Sequence, residues 1–303
     1  MQGQKIAFAS DKATVPEYDD IKTENGKLMA YLREKGFEPS CQVWDNDKVN
    51  WADFDAVIIK TPWDYHNRIL EFQAWLEKLE KVGAYVLNPV EMIRWNSDKI
   101  YLKEMEEKGV RIAPTLWLGQ GEKFDVEKIF AELKTEKIII KPRVSASANH
   151  TYALTKEEAM KKKENIERLL QENCFMAQPF LKEVQTKGEW SLLFFNGKYS
   201  HSILKTPKSS DFRVQLSYGG TVHKLEAPVS LVETAQRIVD GFGKGCLYVR
   251  VDGLEVDGEL VLMEFEAIEP YLFLLQSESG VELYFEALVG CLEGKRAEVG
   301  KAN

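Results

Sequence analysis

The sequence predicts a chain of two characters, α/β and then α+β: a parallel strand–helix–strand layer at the N-terminus, and antiparallel sheet toward the C-terminus. Three observations carry this. Between residues 5 and 87, short apolar runs alternate with amphipathic stretches, the pattern of parallel β-α-β construction. Between 188 and 204, two apolar runs flank Asn196-Gly197, a strong hairpin signal. Between 248 and 270, Tyr248-Val-Arg-Val-Asp252 and Leu260-Val-Leu-Met-Glu-Phe-Glu266 are joined by the Gly- and Asp-rich stretch 253–258, which reads as a turn. Strand side chains alternate with a period of two, so Arg250 and Asp252 share one face. Glu264 and Glu266 share a face too, with Val261, Met263 and Phe265 on the other. Carboxylates brought this close repel unless a cation lies among them, and oxygen-only ligands suit a hard ion such as magnesium. The rival reading is an amphipathic hairpin whose polar face is merely wet. The apolar flanks, and the compression of Glu264, Glu266 and Glu269 into one short segment, favour the ion.

A chain of 303 residues can divide into two or three domains and bury sizeable cores. Its net charge of -8 and pI near 5.3 argue against nucleic-acid binding, while leaving room for a local basic cleft that takes a nucleotide's phosphates. Cys41, Cys174, Cys246 and Cys291 form no C-x-x-C pair and read as reduced. There is neither a signal-like apolar N-terminus nor an apolar run long enough to span a bilayer, so the expectation is a cytoplasmic protein without membrane partners.

In order, Lys5–Ala9 reads as the first strand, 26–36 as a helix, Glu38–Trp44 as the second strand and Phe54–Ile59 as the third. Ligands of such layers gather beyond the strand C-termini, which singles out Asp11, Lys12, and Lys60 through His66. Within Trp63-Asp-Tyr-His66, Asp64 reads equally as the cap of the helix carrying Ile69, Phe72 and Trp75 or as part of a substrate-docking cluster. Val82–Leu87 is the next strand, stopped by Asn88-Pro89. Asn96-Ser-Asp98 can cap a helix starting at Lys99, Ile112–Trp117 is extended, and 125–133 is helical.

Lys137–Pro142 is an apolar strand ending in a lysine, followed by the small-residue stretch Ser145-Ala-Ser-Ala148. Such a loop lets backbone amides approach phosphate oxygens beside Lys141, although an edge lysine before a surface turn is the blander reading. Thr155 and Glu158 fit a capping box for a polar helix to Gln171. Phe175–Leu181 suits a segment whose backbone edge reads an adenine ring, with Met176 packing near the base, or a simple buried strand. After the Asn196-Gly197 hairpin, Lys205–Ser210 reads as a basic loop, Asp211–Gln215 as a strand, and Ser230 or Glu233 as the start of a helix reaching Phe242. A helix from about 281 to 292 completes a core.

Taken together, Asn96-Ser-Asp-Lys99, Lys141-Pro142, Gln178-Pro-Phe180, Glu189, Arg213, Asp252 and Met263-Glu-Phe-Glu266 resemble the ATP-grasp superfamily, which includes glutathione synthetase and the RimK-like carboxylate–amine and carboxylate–thiol ligases. The stretches Val43-Trp-Asp45, Val49-Asn-Trp51 and Trp63-Asp-Tyr65 are most similar to a bacterial branch related to cycloserine-pathway ATP-grasp enzymes. The resemblance implies a parallel-sheet N-terminal domain (1–94), a central region with a small ATP lid (95–177) and a C-terminal antiparallel-sheet domain with a metal site (178–303). It also implies that Lys99, Lys141 and Ser145 meet ATP phosphates. Gln178, Pro179, Phe180 and Leu181 would line the adenine pocket, and Glu183 or Glu189 would hold the ribose side. Asp252, Glu264 and Glu266 would hold Mg2+, and Arg213 would steady a reacting carboxylate or acyl phosphate. Two departures matter. Ser145 to Ala148 stand where many members have a glycine-rich loop, and Glu266 stands where many use asparagine, an added negative charge that points to two ions.

The expected reaction is ATP-dependent activation of a small-molecule carboxylate as an acyl phosphate and its joining to an amine or similar nucleophile, releasing ADP and phosphate. No Ser-His-Asp or Cys-His set suggests covalent catalysis. A phosphotransferase of the same fold and a nucleotide-binding regulatory protein are the alternatives. Substrate identities and the role of Glu269 stay open, as does oligomeric state, for which a homodimer is the first expectation.

Overall fold

A computed structural model describes residues 2–146, 148–209 and 211–302; Ser147 of the small-residue loop and Ser210 of the basic loop lie outside the described residues. The first layer is a parallel sheet of β1 (Lys5–Ser10), β2 (Glu38–Val43), β3 (Ala56–Thr61) and β4 (Val86–Leu87), in the order β2-β1-β3-β4. Two helices cover it: α1 (Glu24–Glu34), with Thr23 accepting a hydrogen bond from the Gly26 amide as N-cap, and α2 (Ile69–Lys81). β3 is buried along its whole length, as a strand covered on both faces must be. α2 buries Phe72, Trp75, Leu76 and Leu79, one apolar stripe at helical spacing. Asp64 does not cap it. Its carboxylate accepts from Trp44 Nε1 at 2.8 Å and Arg68 at 2.5 Å, away from any helix amide. β4 is shorter than expected because Val82 ends α2 and Gly83, at φ 67°, turns the chain.

Two short helices, α3 (Val90–Asn96) and α4 (Tyr101–Glu107), lead out of this layer. The expected cap at 96–98 is displaced, because each residue has a longer-range partner. Asn96 ends α3 with its side chain bonded to the Phe265 carbonyl and the Ala267 amide, while Asp98 takes the Ile100 amide and both ends of Arg143.

The second sheet, β5-β8-β6-β7 in order, is antiparallel and built from β5 (Leu116–Leu118), β6 (Lys137–Pro142), β7 (Tyr152–Thr155) and β8 (Phe175–Pro179). α5 (Val126–Leu133) and α6 (Lys156–Leu170) pack on it, and α6 opens with the expected capping box of Thr155 and Glu158. β8 stops two residues before Leu181, and a single-turn α7 (Glu183–Thr186) follows.

The third sheet runs β11-β10-β9-β12-β13, antiparallel throughout: β9 (Glu189–Phe195), β10 (Lys198–Thr206), β11 (Thr221–His223), β12 (Tyr248–Val256) and β13 (Glu259–Glu266). Asn196 and Gly197 both have positive φ, as a primed two-residue turn requires. The β12–β13 turn is Asp257-Gly258, of the same kind, so the residues 253–256 expected to turn instead extend β12. β10 continues through Lys205 and Thr206, which the sequence assigned to a loop, because Lys205 is held between Glu189 and Asp252. The strand expected at 211–215 is absent; Asp211 instead folds back to take Arg213, and β11 forms beyond Gly219-Gly220. α8 (Val229–Phe242) starts after Pro228, ahead of both expected start sites. α9 (Gly280–Ala302) packs Tyr284 and Leu288 between the first and third sheets.

Candidate active site

The sheets converge on one cavity of about 590 Å³. β12 and β13 form its floor, in a register that sets Asp252 opposite Glu264 and Arg250 opposite Glu266, so the acidic face is built as the alternation requires. Beside Asp252 the ladder slips by one residue at Gly253, where a Cβ would lie 2.5 Å from Leu260 Cδ1 and 2.8 Å from the Val261 carbonyl oxygen. Only glycine fits that bulge. β6 and β8 lie over the floor and bring Lys141 and Gln178 to the cavity, while the loop after β3 adds Trp63 and Tyr65.

Charge pairing inside is dense. Asp252 takes Ser191 Oγ at 2.5 Å, Lys205 at 3.1 Å and the Arg250 guanidinium at 2.9 Å; Glu189 takes Lys205 at 2.5 Å. Glu264 faces two lysines from separate elements, Lys141 at 3.5 Å and Lys99 at 3.7 Å, and Glu266 pairs with Arg250. Lys99 also donates to the Ser145 carbonyl at 2.9 Å, tying the small-residue loop to the segment before α4.

These partners decide the protonation states. Burial pushes the Asp252 and Glu264 carboxyls upward, but the cations outweigh it: Arg250 and Lys205 hold Asp252 well below the carboxylate range, and Lys99 and Lys141 hold Glu264 at about 2. Burial pulls Lys141 down despite Glu264, whereas Asp252 and Glu189 more than offset burial at Lys205 and raise it. Glu266 is pushed up to about 8 by burial, which Arg250 does not outweigh, with Asp252 and Glu264 adding to the rise. Glu269 rises to about 7, chiefly through burial.

All the expected site residues except Glu183 reach this cavity. Glu183 opens α7 beside it, with its neighbour Val184 on the wall instead. Gln178 to Leu181 line an apolar side with Ile139 and Met263; Met176 does not join them, because it is fully buried under β9 and β12. Gln178 Nε2 donates to Thr115 at 2.9 Å, and its Oε1 is buried without a partner. Arg213 reaches the cavity while paired with Asp211 at 2.7 Å and set 3.8 Å over the Tyr218 ring. Of the post-strand loop, Trp63 and Tyr65 line the cavity, and Asp64 and His66 do not.

Sequence reasoning read Lys205 as part of a basic loop and Arg250 as a guanidinium beside the acidic face; the structure pairs Lys205 with Glu189 and Asp252, and Arg250 with Asp252 and Glu266. Counting outward from the Asn196-Gly197 turn would set Leu204 level with Glu189; a register shift between Tyr199 and His201 brings Lys205 there instead, so no local signal marked it.

Among the described residues, no three potential ligands converge as a ready-made ion cage. The donor set still fits magnesium. Asp252, Glu264 and Glu266 offer oxygen donors on one face, the hard-ligand set such an ion takes.

A lysine-bearing antiparallel sheet closed over an acidic antiparallel floor, with a parallel layer alongside, is the ATP-grasp architecture, and it defines a protein of the carboxylate–amine ligase class. The chain belongs to the prokaryotic glutathione synthetase ATP-grasp family, which matches residues 101–269; residues 6–88 match the N-terminal domain of D-cycloserine synthetase DcsG. A cycloserine biosynthesis protein, DcsG of Streptomyces lavendulae, is 26% identical, the match covering 93% of this chain and 97% of that one. The crystal structure of D-cycloserine synthetase DcsG superposes with a TM-score of 0.83 at 26% identity, covering 95% of this chain and 99% of the other. D-alanine–D-alanine ligase from Bacillus anthracis shares the fold at a TM-score of 0.69 and 16% identity, covering 99% of each chain.

Proposed function

We propose that the protein is an ATP-dependent ligase that activates a small-molecule carboxylate as an acyl phosphate and joins it to an amine or similar nucleophile, releasing ADP and phosphate. The observation that carries this reading is the convergence of Lys99 and Lys141 on Glu264 across the cavity. Two cations from separate elements facing an acidic floor are what a polyphosphate held on a carboxylate-bound ion needs.

In this reading the apolar segment 178–181 takes the adenine, Glu189 lies on the ribose side, and Lys99, Lys141 and the Ser145 loop hold phosphate oxygens. Asp252, Glu264 and Glu266 hold magnesium, which when bound neutralises phosphate charge as it shifts toward the leaving oxygen. A carboxylate resists nucleophilic attack because it is an anion with no usable leaving group; phosphorylation supplies one. Arg213 then steadies the acyl phosphate and the tetrahedral adduct, and enclosure of the cavity keeps water from the activated carbonyl.

Coupled assays of the purified protein with MgATP and a panel of small carboxylates and amines should release ADP and phosphate together. Release of AMP and pyrophosphate would overturn the mechanism. A stable phosphorylated product that forms without any nucleophile would favour the phosphotransferase alternative.

A further inference from the structure

Of the five carboxylates lining the cavity, Glu189, Asp252, Glu264 and Glu266 each have a cation within ion-pair distance, and Glu269 has none among the described residues. It sits just beyond β13. Its carbonyl accepts from Trp63 Nε1 at 3.2 Å, and Tyr65 lies beside it and favours its charged form. Trp63 and Tyr65 come from the C-terminal end of β3, the edge of a parallel sheet where ligands gather, whereas the segment at 178–181 belongs to the second sheet. A carboxylate without an ion-pair partner repels other anions, so the group it receives is neither a phosphate nor a carboxylate. Two aromatic side chains beside one carboxylate suit an ammonium, which the rings attract and the carboxylate pairs with. They suit a metal less well, since a hard ion needs several oxygens and two aromatic rings supply few.

We infer that Glu269, framed by Trp63 and Tyr65, is the specificity-determining residue that receives a protonated amino group of the small-molecule substrate, so that the enzyme selects an amino acid or amine over its uncharged counterpart. This inference rests on the ligase reading for the identity of the site, but its test does not need turnover.

The probes are L- and D-amino acids and the matching 2-hydroxy acids, titrated calorimetrically into the full-length protein with a nonhydrolysable ATP analogue and Mg2+. The wild type should bind at least one amino acid and discriminate against its hydroxy counterpart. Glu269→Gln should weaken the amino acid by about 10- to 100-fold, the scale of a lost charged hydrogen bond, and abolish the discrimination while leaving nucleotide affinity unchanged. Tyr65→Phe should show a smaller loss of the same kind. Equal binding of amino and hydroxy acids by the wild type, no binding of any amine, or unchanged preference in Glu269→Gln overturns the inference. So does a raised Mg2+ requirement with unchanged amine affinity. Amine binding without ADP release would instead sink the ligase reading and leave this one standing.

Discussion

Lys205 joins two carboxylates that would otherwise share a buried space, and it is only 6% exposed. Replacing it with methionine leaves Glu189 without its cation, and breaking a buried pair from one side costs about 3–5 kcal/mol. Lys205→Met should therefore lower the unfolding free energy read from urea melts by that amount, and adding Glu189→Gln should recover part of the loss. The floor residues separate by charge. Glu266→Asn removes a carboxyl that burial already pushes toward its neutral form, so turnover should stay within about tenfold of wild type; Glu264→Gln removes the group that both lysines face and should lower kcat by about 100-fold or more, the scale of losing one electrostatic stabiliser at a reacting centre. A shared ATP KM in the two variants would separate this from simple misfolding. At this scale the sequence was legible where chemistry is local: the alternation put Asp252, Glu264 and Glu266 on one face. It put Lys205 in a basic loop, since a lysine after an apolar strand looks the same whether it ends in solvent or against two carboxylates from other strands.

At the scale of elements, the segment after β13 is positioned by a buried network. Glu24, at the start of α1, pairs with Lys60 of β3 at 2.9 Å, both side chains being 1% exposed, and accepts the Leu272 and Leu274 amides at 3.0 and 2.9 Å. The Leu272 carbonyl in turn meets His201 Nε2 at 3.1 Å. This fixes Tyr271 and Phe273, which line the cavity. Glu24→Ala should lower stability by about 3–5 kcal/mol, by leaving Lys60 and two amides unpaired. Burial lowers the His201 pKa below its ordinary 6.5, against the pull of the Leu272 carbonyl and Glu24. The unfolded chain thus takes up a proton that the folded chain resists, so stability is full above 6.5 and declines as pH falls below it. His201→Gln should flatten that acid limb in a series of thermal melts. Local signals found β6 and the capping box of α6 in full, because both lie within a few residues. They failed at 211–215, where alternation suggested a strand but Arg213 turns back onto Asp211.

Across the whole molecule, the first layer and the third sheet are joined by side chains from the segment between them. Asn88 donates to the Tyr248 and Ala267 carbonyls at 2.8 and 2.7 Å and accepts the Leu247 amide at 2.7 Å; Asn96 adds the bonds to Phe265 and Ala267; and the Tyr248 hydroxyl meets the Ile59 and Ile268 carbonyls. The sequence offered Asn88-Pro89 only as the end of a strand, since an asparagine's distant partners leave no local trace. Its consequence concerns modularity. Residues 6–88 and 101–269 match separate families, as though they were interchangeable parts, yet the bonds of Asn88 and Asn96 make the junction a seam sewn from both sides. A chimera that takes its first half from a relative will fold with native cooperativity only if both asparagines and the backbone they hold at 247–248 and 265–267 are inherited together.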